Sequence, residues 1–291
     1  MTYAARHESG QAGTDRQIVL VSGLSRSGTT MLQRLLCGDP NSPAYPECGP
    51  ISLIASTYLR QLTASAEVLG SYFETVDRLK EIYRKQAGDV LNTLLRNSPP
   101  QIQTVILKHP GALAEIRGYL ELFERLKIIV IIRSPTEIIE SRKAVAKRRS
   151  AMPWDDSAEA ERLKDAWKVL ERALEALRHC NGRAWVTTYS AAVNDPEKWM
   201  SMLTDSLEVE FSPELAPNPP HAARIFQTPK SSLATIVSPS RTSAKPNSLC
   251  PHQIRTPLAQ LEAEYSQLLR LPPVFSPEEA LLALRNRRRG D

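Results

Sequence analysis

The stretch Gly23-Leu-Ser-Arg-Ser-Gly28-Thr29-Thr30 combines two glycines, an arginine and a pair of hydroxyl residues. Glycines at that spacing let backbone N–H groups turn toward an anion, and hydroxyls and a guanidinium complete the set for phosphate. Two more basic residues stand at comparable places further on. Lys108, with His109 beside it, follows the apolar run Thr104-Val-Ile-Leu107, and Arg133 follows Lys127-Ile-Ile-Val-Ile-Ile132. Ser141 comes eight residues after Arg133. If a helix starts between them, Arg133 and Ser141 can converge on one anion beside its N-terminus. The residue types therefore speak for two separate phosphate sites.

The elements that must position these residues are legible around them. Ile18 to Val21 is a short β-branched run, read as a buried strand, and Met31, Leu32, Leu35 and Leu36 form one face of a helix after the loop. Thr104–Leu107, Lys127–Ile132 and Ala184–Tyr189 read as three more strands. Strands alternating with helices predict an α/β fold, a parallel sheet with ligands at the strands' carboxyl ends. The sequence predicts irregular structure for Cys37–Pro50, which holds four prolines and two glycines. It predicts helices over 51–96 in two pieces broken near Gly70, over 112–125, over 156–178, after Asn194-Asp-Pro-Glu197, and over 258–271 and 277–285. Ser134, Pro135 and Glu137 spell an N-cap, an N1 proline and a capping box. The proline- and serine-rich 212–257 reads as irregular chain, a lid or a linker.

The glycine loop fits the P-loop pattern of nucleotide triphosphatases except that Thr29 stands where their lysine would be. A triphosphatase also needs an acidic residue for magnesium after a second strand, and here the strand ends in Arg133-Ser134. The loop suits phosphate binding without ATP hydrolysis. A P-loop kinase or nucleotide hydrolase remains the enzymatic alternative, and a non-catalytic nucleotide-binding module the alternative from another class.

Arg26-Ser-Gly-Thr-Thr30 resembles the 5′-phosphosulfate loop of sulfotransferases that use 3′-phosphoadenosine 5′-phosphosulfate (PAPS), most of all the tyrosylprotein and related bacterial branch. Leu107-Lys-His-Pro110 is similar to that branch's lysine-bearing strand end, and Arg133–Ser141 to its 3′-phosphate motif. Thr188-Tyr189 and Asn194–Glu197 are similar to weaker family features. The resemblance covers about 17–207. It implies a P-loop-like parallel sheet with a helical insertion at 51–96, in a single domain spanning 1–291 after a loose leader at 1–15. It implies transfer of a sulfuryl group from PAPS to a hydroxyl, less often an amine, with PAP as product and no metal.

By residue, the resemblance implies that Arg26, Ser27, Gly28, Thr29 and Thr30 hold the 5′ end, with Arg26 and Lys108 as cations on the transferring group. Arg133 and Ser141 would hold the 3′-phosphate, and Tyr189 would pack near the adenine. Ser240 and Arg241 lie in a segment that would close over the nucleotide. For the base, Glu47 matches the branch and His109 is the rival; His109 is one residue out of register with the histidine of the cytosolic enzymes.

Composition narrows the rest. The 291 residues carry a net charge of +5, and basic residues are mixed with acidic ones along the helices without an aromatic-interleaved run. That speaks against nucleic acid as a partner. No apolar run reaches the roughly 20 residues of a membrane span, and Met1–Arg16 is too polar for a signal peptide. Cys37, Cys48, Cys180 and Cys250 lack close pairing, as in reduced cytoplasmic proteins, and no metal-ligand spacing appears. The expected acceptor is a small molecule, a carrier-bound intermediate or a glycan. Peptide tyrosine is not implied, because tyrosylprotein enzymes are membrane-anchored and disulfide-bearing.

Overall fold

A computed structural model describes residues 17–37, 44–64, 66–95, 104–148, 154–180, 182–208 and 252–286. Its centre is a sheet whose strands are β1 (Gln17–Gly23), β2 (Ala44–Glu47), β3 (Thr104–Lys108), β4 (Leu126–Ile132), β5 (Ala184–Thr188) and β6 (Val274–Phe275). Their order is β2-β3-β1-β4-β5-β6, parallel throughout except for β6. The strands are apolar on both faces because both are covered. Ile18, Leu20, Val105, Leu107, Ile128 and Val130 point into one core, whereas Val19, Val21, Ile106, Ile129 and Ile131 point into the other.

The larger core is closed by α2 (Gly49–Leu62), α4 (Val76–Leu95), α5 (Ile116–Leu122), α7 (Asp156–Leu177) and two C-terminal helices, α10 (His252–Leu268) and α11 (Pro277–Asn286). On α7 the stripe Leu163, Trp167, Leu170, Leu174 and Leu177 is buried as its spacing requires. The smaller core is closed by α1 (Thr29–Leu36), α8 (Tyr189–Asn194) and α9 (Pro196–Leu207). There the Trp199 indole donates to Thr187 Oγ1 at 2.8 Å, and that hydroxyl donates to the Pro273 carbonyl at 2.7 Å. The helix α6 (Pro135–Arg148) follows β4 directly.

Several sequence expectations need correction. Ala44–Glu47 is a strand within the stretch expected to be irregular, and α2 begins at Gly49. Pro46 is tolerated because β2 is an edge strand, where one proline leaves no ladder bond unmet. The insertion holds three helices, with α3 (Ala66–Phe73) carrying Gly70 in its interior. The chain turns instead around Glu74, which has φ of 63°. The helix expected over 112–125 is a 3₁₀ turn, Pro110–Leu113, followed by the shorter α5. Tyr189 starts α8 and does not end β5, since Thr188 caps that helix by accepting from the Ala191 N–H. β6 was not expected, and α10 reaches back to His252 within the stretch read as irregular. The leader at 1–15 and residues 212–251, with Ser240 and Arg241, lie outside the described residues.

Gly118 shows how tightly α5 meets α2, because a Cβ there would lie 2.8 Å from the Ala55 carbonyl oxygen. In an open helix Gly→Ala stabilises by about 1 kcal/mol, but overpacking against backbone costs about 1–3 kcal/mol. The clash should win. Gly118→Ala is expected to lower the urea midpoint by an amount equivalent to about 1–2 kcal/mol; an unchanged or higher midpoint would contradict this packing.

Candidate active site

Those expected residues that are described lie at or beyond the carboxyl ends of β1 to β5, with Ser141 on α6. The loop from Gly23 to Gly28 is constrained at both ends. A Cβ on Gly23 would lie 2.4 Å from the Ile131 carbonyl oxygen, and one on Gly28 would lie 2.5 Å from the Tyr189 ring. Gly28 also has φ of 109°, a conformation that disfavours side chains. Arg26 adopts φ of 77° between them, a strained backbone of the kind found at binding loops.

The α1 N-terminus has no side-chain cap and no acidic residue in its first turn. Its first N–H groups therefore remain available to an anion, with the helix dipole behind them. Ser27 is fully buried, and its hydroxyl has no hydrogen-bond partner among the described residues. Thr29 is buried too, while Thr30 is half-buried.

Lys108 and Glu47 are brought together by register. On β3, Lys108 falls on the same face as Ile106, the face that α1 covers. From Ala44 to Glu47, β2 advances three residues while β3 advances two, from Ile106 to Lys108. In an unshifted ladder Pro46 would stand opposite Lys108; the bulge puts Glu47 there instead. Lys108 Nζ donates to Glu47 Oε1 at 3.1 Å and to Thr30 Oγ1 at 3.3 Å. The Lys108 side chain is 5% exposed and that of Glu47 is 55% exposed. The pair is thus anchored in the protein at its cationic end and open to solvent at its anionic end.

His109 continues the ladder by one bond, its N–H donating to the Val21 carbonyl at 3.1 Å. Alternation places its side chain on the opposite face from Lys108. Its Nδ1 is buried without a partner among the described residues, and its ring lies against Gly111. The two candidate bases are therefore separated, and Glu47 shares the face with Thr30 and Lys108. Next to Glu47 the chain turns inward: the buried Cys48 thiol contacts the Tyr119 hydroxyl at 3.5 Å, and burial pushes the thiol up to about 11.

The second cluster surrounds Arg133, which is 9% exposed. Its Nε donates to Glu137 Oε2 at 3.0 Å, its Nη1 to the Arg26 carbonyl at 3.4 Å, and its guanidinium lies 4.1 Å from the centre of the Tyr189 ring. Ser141 Oγ accepts from Arg26 Nε at 3.0 Å. Arg26 thus links the loop to both Arg133 and Ser141, and Tyr189 is wedged between Gly28 and Arg133.

Two expectations change here. The capping box on α6 is only half formed: Ser134 Oγ accepts from the Glu137 N–H, but the Glu137 carboxylate turns to Arg133. A buried guanidinium is a stronger partner than a neutral backbone N–H. The α6 N-terminus is also not open to a ligand. Glu262 of α10 accepts there from Ser134 Oγ and the Thr136 N–H, both at 2.6 Å. Sequence reasoning missed Glu137 as the Arg133 partner, although an Arg–Glu pair four residues apart on a helix is a readable signal. It also missed Glu262, for which a separation of 128 residues leaves no local signal.

Comparison with known proteins bears on the same region. The sequence profile described as "Sulfotransferase family" matches residues 18–213. Comparison with curated proteins finds no match. Among solved structures, the sulfotransferase domain of the Synechococcus PCC 7002 olefin synthase is similar, at 18% identity with a TM-score of 0.54, over 88% of this chain and 97% of that one. The sulfotransferase domain from the curacin biosynthetic pathway is 18% identical with a TM-score of 0.49, over 84% and 97%. Retinol dehydratase in complex with androsterone and PAP is 16% identical with a TM-score of 0.32, over 68% and 61%. At such identities these structures speak for the fold alone, and the first of them supports the parallel α/β architecture described above. The profile match extends from β1 through α9 and takes in the glycine loop, Lys108, Arg133 and Ser141, and on it the chain belongs to the sulfotransferase family.

Proposed function

We propose that this chain transfers a sulfuryl group from PAPS to a hydroxyl of a small-molecule, carrier-bound or glycan acceptor, giving PAP and a sulfate ester. The observation that carries the reading is the row Thr30–Lys108–Glu47 beside an uncapped helix N-terminus. It sets anion-binding groups, a buried cation and an exposed carboxylate side by side. A kinase or hydrolase is not favoured, because Arg133 and Ser134 follow β4 where a magnesium-binding acid would be needed.

The residues present fit a donor with two anionic ends. The α1 N-terminus is uncapped, and the buried Ser27 hydroxyl has no partner among the described residues. When bound, PAPS supplies the sulfuryl group and a phosphate leaving group. Gly28, Thr29 and Thr30 are assigned to the 5′-phosphate through backbone N–H groups and hydroxyls, with Lys108 and Arg26 as the neighbouring cations. Arg133 and Ser141 are assigned to the 3′-phosphate, with the Tyr189 ring as a stacking surface beside them.

Glu47 is assigned as the base that takes the acceptor proton. Its half-exposed side chain can reach an incoming hydroxyl, while its contact with Lys108 keeps it next to the leaving-group cation. Sulfuryl transfer resembles phosphoryl transfer in that positioning and charge do most of the work, so this short row can account for the chemistry. The reading places the enzyme in the cytoplasm, and Cys48 and Cys180 as free thiols support it. No helix among the described residues is long and apolar enough to cross a membrane.

PAP is expected to raise the melting temperature more than ATP does, and the absence of any PAP stabilisation would overturn the assignment of the donor. Glu47→Gln is expected to lower turnover by about 10²–10⁴-fold while leaving PAP affinity within a few-fold. If His109→Asn has that effect and Glu47→Gln does not, the base is His109.

A further inference from the structure

At the Arg133 end of the site, two features attract anions, and each already holds a carboxylate of the chain itself. The α6 N-terminus holds Glu262, which is fixed by two hydrogen bonds and delivered by another helix. Arg133 holds Glu137 through a single hydrogen bond, and the Glu137 side chain is 43% exposed. The two carboxylates are therefore not equally easy to move. Glu262 satisfies the dipole of α6 and a half-buried hydroxyl, whereas Glu137 can swing into water by a side-chain rotation.

Glu137 is also in crowded company. Glu140, on the same helix, has a buried Oε1 without a hydrogen-bond partner among the described residues. Burial, and then the charge of Glu137, push the Glu140 carboxyl above its ordinary range, with Arg133 pulling the other way. Arg133, in contrast, does not depend on Glu137 for its place. The Arg26 carbonyl and the Tyr189 ring hold it independently.

We propose that Glu137 is an internal counter-ion that the 3′-phosphate of the nucleotide displaces from Arg133, so that this carboxylate sets the affinity for donor and product. The inference rests on the assignment of Arg133 to the 3′-phosphate made above. A buried guanidinium left without a partner is costly. Exchange of one anion for another keeps Arg133 paired in both states. It also weakens binding of every nucleotide that carries a 3′-phosphate, which favours release of PAP after transfer. A nucleotide without that phosphate leaves the Arg133–Glu137 pair intact and is not affected.

The test is calorimetric titration of the full chain with PAP and with AMP, which lacks the second phosphate. Glu137→Gln is expected to bind PAP about fivefold tighter than the wild type, with AMP affinity unchanged. Because the new amide oxygen can still accept from Arg133 Nε, Glu137→Ala is measured as well and should show at least as large a gain. A residue that merely holds Arg133 in place would give the opposite sign, so equal or weaker PAP binding by both variants overturns the proposal. Equal gains for PAP and AMP overturn it too, since the effect would not be tied to the 3′-phosphate. Wild-type chain that binds no PAP would sink the nucleotide assignment, and this proposal with it.

Discussion

The Lys108 ammonium is the contact on which the site depends. A charge this deeply buried must be paired, because removing one partner of a buried ion pair leaves an uncompensated charge that costs about 3–5 kcal/mol. The exposure of Glu47 moderates that figure here. Lys108 has two partners, Thr30 on α1 and Glu47 on β2, and so one side chain ties three elements together at the mouth of the sheet. The geometry is set upstream by strand alternation, which turns Lys108 toward α1 and His109 away. The bulge in β2 then brings a carboxylate opposite Lys108 where a regular ladder would bring a proline. A one-residue change in either register would dissolve the row.

The two helix N-termini at this end of the sheet are treated differently by the chain. The α1 N-terminus is uncapped, lacks first-turn acids, and is preceded by a loop whose two glycines leave no room for a side chain. The α6 N-terminus has an acid in its first turn and takes a second carboxylate from α10. Anion recognition is thus left to backbone N–H groups at one place and to side chains, Arg133 and Ser141, at the other. Arg26 joins the two, through its carbonyl to Arg133 and its guanidinium to Ser141. Tyr189 fills the space between them and fixes how closely they approach.

Much of this was readable from the residues, for physical reasons. β1, β3, β4 and most of β5 are apolar runs buried on both faces, and such runs are hard to mistake when a basic or glycine-rich segment follows. Arg26, Lys108 and Arg133 stood out because each lies at or just beyond a strand's carboxyl end, and Ser141 because it follows Arg133 by two turns of helix. Glu47 was named for its loop, and the structure sets it against Lys108, but its strand was not seen. Pro46 argues against a strand unless the strand is known to be an edge, and edge position is a property of the whole sheet. Gly70 misled in the other direction: it is exposed in α3, where the lost helix propensity is tolerated. Glu262 could not have been found, since nothing local to α10 announces that it will cap a helix that begins at Pro135. The half-formed capping box shows the same limit, because a local pattern lost to a stronger charged partner.

The most direct test of the account is a crystal structure of the chain with PAP. It should place the 5′-phosphate on the N–H groups of Gly28, Thr29 and Thr30 within reach of Lys108 Nζ, and the 3′-phosphate on Arg133 and Ser141. PAP bound elsewhere, or bound here in the reverse sense with its 3′-phosphate on the glycine loop, would contradict it.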